Sequence, residues 1–327
     1  MGKNEQTGAL EPLDFTHVVE SIPEFKLVQA DIDVYPFTPP LDSSDMDPMQ
    51  WALLVRIISD NYDRYDGFVI LHGTDTMAYT ASALSFMLDN LTKPVILTGS
   101  QLPMGQLRTD GKENLMTSIE LAALKDTDGH AHVPEVAIYF SGRLIRGNRA
   151  TKINAEGFHA FESFNYPHLC DAGVTFTFHD HHILKPDFSK PLVPHLDMNP
   201  NVVVFSLFPG VQKHIVNNVL TSEEVRGIII RTFGSGNAPH TPWLLESLEQ
   251  AHKRGIVVVN ISQCVAGSVE MERYGTGSQL LQHGVISGYD STVEAAVTKL
   301  MRLLATHEDP AVIRKLMNRS LAGEITV

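Results

Sequence analysis

Cysteine is scarce in this 327-residue chain: Cys170 and Cys264 are its only two, far apart and without CxxC or finger spacing. That excludes a disulfide-built scaffold and a thiolate metal site and fits a reducing compartment, with one disulfide between them left open. Positive charge is also short, 25 Lys and Arg against 38 Asp and Glu, for a formal net charge of -13. With no local basic cluster to offset it, a nucleic-acid footprint is not expected. No apolar run reaches the roughly eighteen residues that cross a bilayer, so no membrane contact is expected. There is no tandem repeat, no low-complexity tract and no signal-peptide pattern. What remains is a hydrophobic fraction of 43% with 19% charged residues, the composition of a soluble globular protein. The length predicts two domains.

The stretch FVILHGTDTMAYTASALSFML, Phe68 to Leu88, carries the first strong pattern. Phe68 to Leu71 read as a strand covered on both faces, and Met77, Leu84, Met87 and Leu88, with alanines between, recur at helical spacing. His72 to Thr76 therefore lie between a strand's carboxyl end and a helix's amino end, where open α/β sheets bind ligands. Strand, polar loop and helix recur along the chain. KLVQADIDVYPF (Lys26–Phe37) alternates as a strand, and a Pro/Asp/Ser loop then opens a helix around Trp51–Ser59. Strands are expected at Val95–Leu97 and Val136–Phe140, with a helix from about Lys112 to Leu124. MGKNEQTGALEP reads as loop, followed by a short helix-like segment, Leu13–Ile22. Strands resume at NVVVFSLF, GIIIRTF and GIVVVNI, and capping boxes are read at Thr221 with Glu224 and Ser291 with Glu294. The fold class is α/β: a larger N-terminal domain (1–185) with a mainly parallel sheet and helices on both faces, a linker (186–200), and a smaller C-terminal α/β domain (201–327).

Taken alone, HGTDT reads as a glycine turn with Thr74, Asp75 and Thr76 capping the next helix. A functional reading needs partners. RGNRATKIN offers Lys152, either a solvated surface lysine or a base oriented by Asp75, with burial lowering its affinity for a proton and the carboxylate raising it. LDSSDM offers Ser43, Ser44 and Asp45, otherwise an ordinary hydroxyl-bonded turn. LTGSQ adds Thr98, Ser100 and Gln101. FGSGNAP lacks the spacing of a phosphate loop. His179, His181 and His182 lie in linker-like sequence without metal-ligand spacing and read as exposed loop histidines. Hydroxyls with one carboxylate and one lysine suit acyl transfer such as amide hydrolysis.

In order, DGFVILHGTDTMAYTASALSFML, LDSSDM, PVILTGSQ, RGNRATK, FGSGNAP and GIVVVNISQC resemble the bacterial type I, cytoplasmic L-asparaginase family over essentially the whole chain. The resemblance implies hydrolysis of L-asparagine to L-aspartate and ammonia without metal or cofactor. It implies that Thr74, Lys152 and Asp75 form a catalytic triad, with Asp75 also binding the substrate's amino group. Ser43, with Ser44 beside it, would bind the α-carboxylate, and Ser100 would sit where backbone holds the side-chain amide. Asn237 would reach into a neighbour's site in a homodimer or homotetramer. Thr151, Arg231 and Cys264 would correspond to an allosteric asparagine site, the plain alternative for Cys264 being a small buried thiol.

Family members begin with a strand and TGGTIG, whose second Thr is the attacking nucleophile. This chain starts just after that point, so a fuller natural form carrying the segment is expected. The tyrosine of the family's mobile loop is also replaced, near Ala9 or Leu10. Two further readings stand beside the enzyme: a protein that binds asparagine or aspartate without turnover, and an amidotransferase subunit, which would want a docking surface that the sequence does not display.

Overall fold

The computed structural model describes residues 22–104, 106–273 and 275–327, with the backbone of two short strands, Gly2–Lys3 and Leu10–Glu11. The helix-like segment expected at Leu13–Ile22 and the position of the loop tyrosine lie outside the described residues, apart from Ile22 and the backbone of Leu10. The chain divides into two compact units, Met1–Leu196 and Asp197–Val327.

The first unit is built on a six-stranded sheet. Its strands are β1 (Phe68–Leu71), β2 (Val95–Thr98), β3 (Val136–Phe140), β4 (Arg143–Arg146), β5 (Cys170–Ala172) and β6 (Phe176–Phe178), and they lie side by side in chain order. β1, β2 and β3 are parallel, with Phe68 opposite Val95 and Val95 opposite Val136. From β3 onward each pair is antiparallel. The expectation of a mainly parallel sheet thus holds for the first half only: a two-residue turn at Ser141–Gly142 returns the chain at once, leaving no room for a crossover helix. β2 and β3 are buried along their whole length. β1 is only half-buried, with Leu71 exposed, unlike the fully covered strand expected, because among the described strands it has a neighbour on one side only.

Two helices fill the faces. Helix α2 (Met77–Met87) packs on β2 and β3 and is buried almost all round, against α1 (Pro48–Asp60) on its outer side. α3 (Gly111–Ala123) takes the other face, where Leu121 and Ala122 meet Ile96, Ala137 and Tyr139. α1 starts at an aspartate cap the sequence reading overlooked: Asp47 accepts from the Met49 and Gln50 N–H groups, and Gln50 returns a bond to the Asp47 N–H.

Lys26–Phe37 is not a strand. Pro23–Leu27 form a 3-10 turn and the rest runs as coil, because the alternating residues Ile32, Val34 and Tyr35 stay exposed and no described strand lies beside them. Strand Val193–Pro194 pairs with Leu88–Asp89, within the first unit.

The second unit carries a four-stranded parallel sheet, β7 (Val202–Ser206), β8 (Gly227–Thr232), β9 (Val257–Ser262) and β10 (Val285–Ser287), again in chain order. Its helices are α4 (Lys213–Leu220), α5 (Pro242–Lys253), α6 (Gly275–Gln282), α7 (Val293–Thr306) and α8 (Pro310–Met317). One capping box is absent: Thr221 ends α4, and too few residues separate it from β8 for a helix. The other is no box either: Thr292, not Ser291, caps α7 by accepting from the Ala295 N–H at 3.1 Å, and Ala295 has no side chain to return the bond.

Candidate active site

HGTDT lies where β1 ends and α2 begins. Two close approaches shape it. A Cβ on Gly73 would stand 2.4 Å from Ser43 Oγ, and one on Gly99 would stand 2.3 Å from the His72 carbonyl oxygen. Only glycine lets the 43–45 turn and the end of β2 come this near. The ordinary capping role foreseen for this stretch is not filled: Thr76 is the N-cap residue of α2 but its side chain makes no cap bond, and its hydroxyl instead donates to the Ser43 carbonyl at 2.6 Å. A threonine that leaves its cap unmade has been spent on tertiary structure.

Lys152 reaches this knot from a two-residue strand, Thr151–Lys152, paired antiparallel with Phe161–Glu162. Its Nζ donates to Thr74 Oγ1 at 2.8 Å and to Asp75 Oδ1 at 2.6 Å. The lysine side chain is 18% exposed whereas that of Asp75 is 68% exposed, so the surface-lysine alternative is set aside. Thr74 in turn donates to Gln101 Oε1 at 3.1 Å, and Gln101 Nε2 donates to the Gly157 carbonyl at 3.0 Å. A hydroxyl, an ammonium and a carboxylate from sequence positions about 77 apart are thus in direct contact.

The loop after β2 is held from below. The Asp110 carboxylate accepts the backbone N–H groups of Gln101 and Leu102, each at 3.0 Å, and Asn114 donates to the Gly99 carbonyl at 2.9 Å. Ser100 sits against the first turn of α3, where a Cβ on Gly111 would lie 3.0 Å from its own Cβ. Ser43 is buried, and exposed Ser44 gives both its N–H and its hydroxyl to Asp42 Oδ1 at 2.9 Å. These two bonds, the backbone one first, hold the Asp42 carboxyl below the usual carboxylate range.

Sequence reasoning missed Asp110 and Asn114, whose only signal is the loop-closing TDGKEN before a helix, and His72. The His72 ring contacts the Gly73 carbonyl through Nδ1 at 2.7 Å and Thr80 Oγ1 through Nε2 at 2.9 Å. Trp51 Nε1 donates to the same Thr80 oxygen at 3.0 Å. Burial pushes the His72 imidazole below its ordinary proton affinity, although the Gly73 carbonyl pulls the other way. A neutral ring satisfies every contact: Trp51 gives to Thr80, Thr80 gives to Nε2, and Nδ1–H gives to Gly73.

The remaining candidates lie elsewhere. Thr151 precedes Lys152 and pairs with Glu162. Asn237, Arg231 and Cys264 belong to the second unit. Asn237 closes a turn by exchanging backbone bonds with Phe233, both 2.9 Å. Arg231 is on β8, opposite Ser206 and Ile261. Cys264 is exposed, which corrects the expectation of a buried thiol; it sits past the end of β9, where its N–H bonds Ser262 Oγ. The linker-like region around His179 is also ordered, against the loop expected: β5 and β6 run through it, His179 bonds Asp171, and the His182 ring packs edge-on against Tyr166. Among the described residues no group of His, Cys, Asp and Glu has the geometry to hold a metal, and no helix is long and apolar enough to cross a membrane.

Comparison with known proteins covers both units. The asparaginase N-terminal family model matches residues 1–184, and the glutaminase/asparaginase C-terminal domain matches 201–317. L-asparaginase 1 of Escherichia coli is 46% identical over 314 residues, covering 93% of this chain and 88% of that protein. The crystal structure of L-asparaginase I from Vibrio cholerae superposes with a TM-score of 0.87 at 42% identity, covering 96% of this chain and 92% of that one. The thermostable L-asparaginase from Thermococcus kodakarensis gives 0.86 at 33% identity, covering 100% and 95%. With matching folds in both units and both family models spanning most of its length, the chain belongs to the asparaginase family.

Proposed function

We propose that the protein is an L-asparaginase, hydrolysing the side-chain amide of L-asparagine to L-aspartate and ammonia, and that Thr74, Lys152 and Asp75 carry the proton transfers. One observation supports this above the rest: Lys152 Nζ lies within hydrogen-bond reach of both the Thr74 hydroxyl and the Asp75 carboxylate. In this arrangement the lysine, once it has given up a proton, takes one from a water that Thr74 orients; the water oxygen bonds to the amide carbon, the C–N bond breaks, and the proton passes to the departing ammonia, leaving the carboxylate of L-aspartate. Backbone N–H groups of the glycine-rich loops suit the developing oxyanion. Asp75, the most exposed of the three, is free to pair with a substrate ammonium, and Ser43, Ser44 and Ser100 border the space a substrate's polar groups would fill.

Within the same proposal, the protein is cytoplasmic and works as a homodimer or homotetramer, Asn237 of one copy serving its neighbour's site. Thr151, Arg231 and Cys264 belong to a second asparagine site. Sedimentation tests the assembly, and simple hyperbolic dependence of velocity on asparagine would remove the second site.

The experiment is ammonia release from L-asparagine by the wild type and by Lys152→Met. Loss of about 10²–10⁴-fold in kcat is expected, and an unchanged rate refutes the assignment. The reading as a binder without turnover is separated by a thermal shift with L-aspartate in the absence of any ammonia release.

A further inference from the structure

Gln101 joins the loop after β2 to the loop after Lys152, and it does so through the Thr74 hydroxyl. Its Nε2 donates to the Gly157 carbonyl at 3.0 Å and to the Asn154 carbonyl at 3.4 Å, both in the loop that follows Lys152. Its Oε1 accepts from Thr74 Oγ1 at 3.1 Å. The two carbonyls fix which way round the amide lies, since a turned amide would set Oε1 against two carbonyl oxygens. Neither end of Gln101 is loose. Its backbone N–H is held by both Asp110 carboxylate oxygens at 3.0 Å. The loop that receives Nε2 is closed on itself by Asn154 Oδ1, which accepts the Glu156 and Gly157 N–H groups at 2.9 Å.

A threonine hydroxyl has one hydrogen and two lone pairs. Here Lys152 Nζ, a donor, occupies one lone pair at 2.8 Å, and Gln101 Oε1, an acceptor, takes the hydrogen. What Thr74 has left for a bound molecule is one lone pair. That suits a partner that donates: the N–H of a side-chain amide, or one hydrogen of the attacking water, whose other hydrogen then faces Lys152. It does not suit a carboxylate, whose oxygens only accept. The substrate amide and the product carboxylate have nearly the same shape, so this one atom tells them apart by whether they donate. Thr74 is half-buried, and an acceptor set against an acceptor costs more there than in open water.

We propose that Gln101 sets the choice between amide and carboxylate: by holding the Thr74 hydrogen it makes Thr74 a pure acceptor toward the ligand, which favours L-asparagine and rejects L-aspartate. Gln101 is thus a positioning residue that acts through Thr74. The proposal rests on the reading of this site as one for L-asparagine. With the hydrogen free to turn, Thr74 would donate to an oxygen of either ligand, and the product would hold the site more tightly.

The test is calorimetric binding of L-aspartate to the full chain, beside ammonia release from L-asparagine, in the wild type, Gln101→Met and Gln101→Glu. Methionine matches glutamine in length and frees the Thr74 hydrogen, so L-aspartate should bind about tenfold more tightly, the effect of one hydrogen bond to a charged group. A site that had merely loosened would bind it more weakly. Glutamate loses the same bonds to Gly157 and Asn154 but keeps an acceptor at Thr74, so it should not tighten L-aspartate. A folded Gln101→Met that binds L-aspartate no more tightly than the wild type, or equal tightening in both variants, overturns the lock. Should Gln101→Met fail to fold, hydrogen exchange in the wild type decides. The Gln101 Nε2 hydrogens, assigned by NMR, should exchange at least about tenfold more slowly than those of an exposed glutamine, and equal rates overturn the lock. No ammonia release with these binding shifts in place overturns the turnover reading alone, whereas ammonia release without the shifts overturns the lock alone.

Discussion

Thr80→Val tests the buried relay that holds the HGTDT loop. Thr80 is fully buried and its hydroxyl is the only link between the Trp51 indole and His72 Nε2 among the bonds described. Valine keeps the shape and removes the oxygen. The Trp51 N–H then loses its acceptor in the interior and the part-buried His72 Nε2 its donor, each at about 1–3 kcal/mol, or about 2–6 kcal/mol together. Burying a methyl in place of a hydroxyl returns at most about 1 kcal/mol. A domain of this size loses about 2–4 °C of Tm per kcal/mol, so the central net loss of about 3 kcal/mol should move thermal unfolding down by about 6–12 °C. Thr80→Ser keeps the relay and should cost only about 1 kcal/mol for its lost methyl.

The same relay predicts an acid limb. The folded ring resists protonation, whereas the unfolded ring titrates near its ordinary value of about 6.5. The contribution is therefore complete above that value and is lost as pH falls through the window between it and the lowered folded value. Calorimetry at stepped pH reads both effects. A Thr80→Val cost below about 1 kcal/mol, or equal costs for the two variants, would refute the relay.

Two further outcomes need only stability or labelling assays. Lys299 and Glu324 form a buried pair, 2% and 0% exposed, in which Lys299 Nζ also donates to the Met317 and Arg319 carbonyls and Glu324 accepts the Leu321 and Ala322 N–H groups. Lys299→Met should destabilise the second unit by about 3–5 kcal/mol in urea titration, and adding Glu324→Gln should restore part of it. In the native protein one thiol should react with a disulfide reagent, namely exposed Cys264, while Cys170 should wait for unfolding, its thiol pushed up to about 11 by burial and the nearby Asp171 charge. Cys264→Ser should abolish the native-state reaction.

Local pattern made the parallel half of the fold and the second sheet legible. Runs such as VAIYF and VVVNIS are mostly apolar, and each sits between polar loops, so period, length and position agree. The antiparallel half was not legible, because CDA and FTF are three-residue strands whose pairing comes from a tight turn and from the neighbour already in place. Lys26–Phe37 failed the other way: its alternation was real, but no partner strand takes it up. At the site, residue type marked Thr74, Asp75 and Lys152. Their contact across about 77 positions, and the supporting Asp110, Asn114 and His72, depended on tertiary placement that no local pattern encodes.

That dependence explains why so short a strand can hold Lys152 against Thr74 and Asp75. Two residues of ladder are too few to be stable alone, yet Lys152 is the register partner of Phe161, which is fully buried with its ring 5.2 Å from that of Phe140 on β3. The core thus fixes one side of the pair through Phe161, while Glu162, paired with Arg143 at 2.7 Å, fixes the adjacent residue from the solvent side. A lysine on a solvated loop would spend most of its time away from Thr74, because its four-carbon stem carries about 2 kcal/mol of rotamer freedom. Tying the backbone behind it at two points leaves only the side chain to be ordered, and the Thr74 and Asp75 oxygens do that.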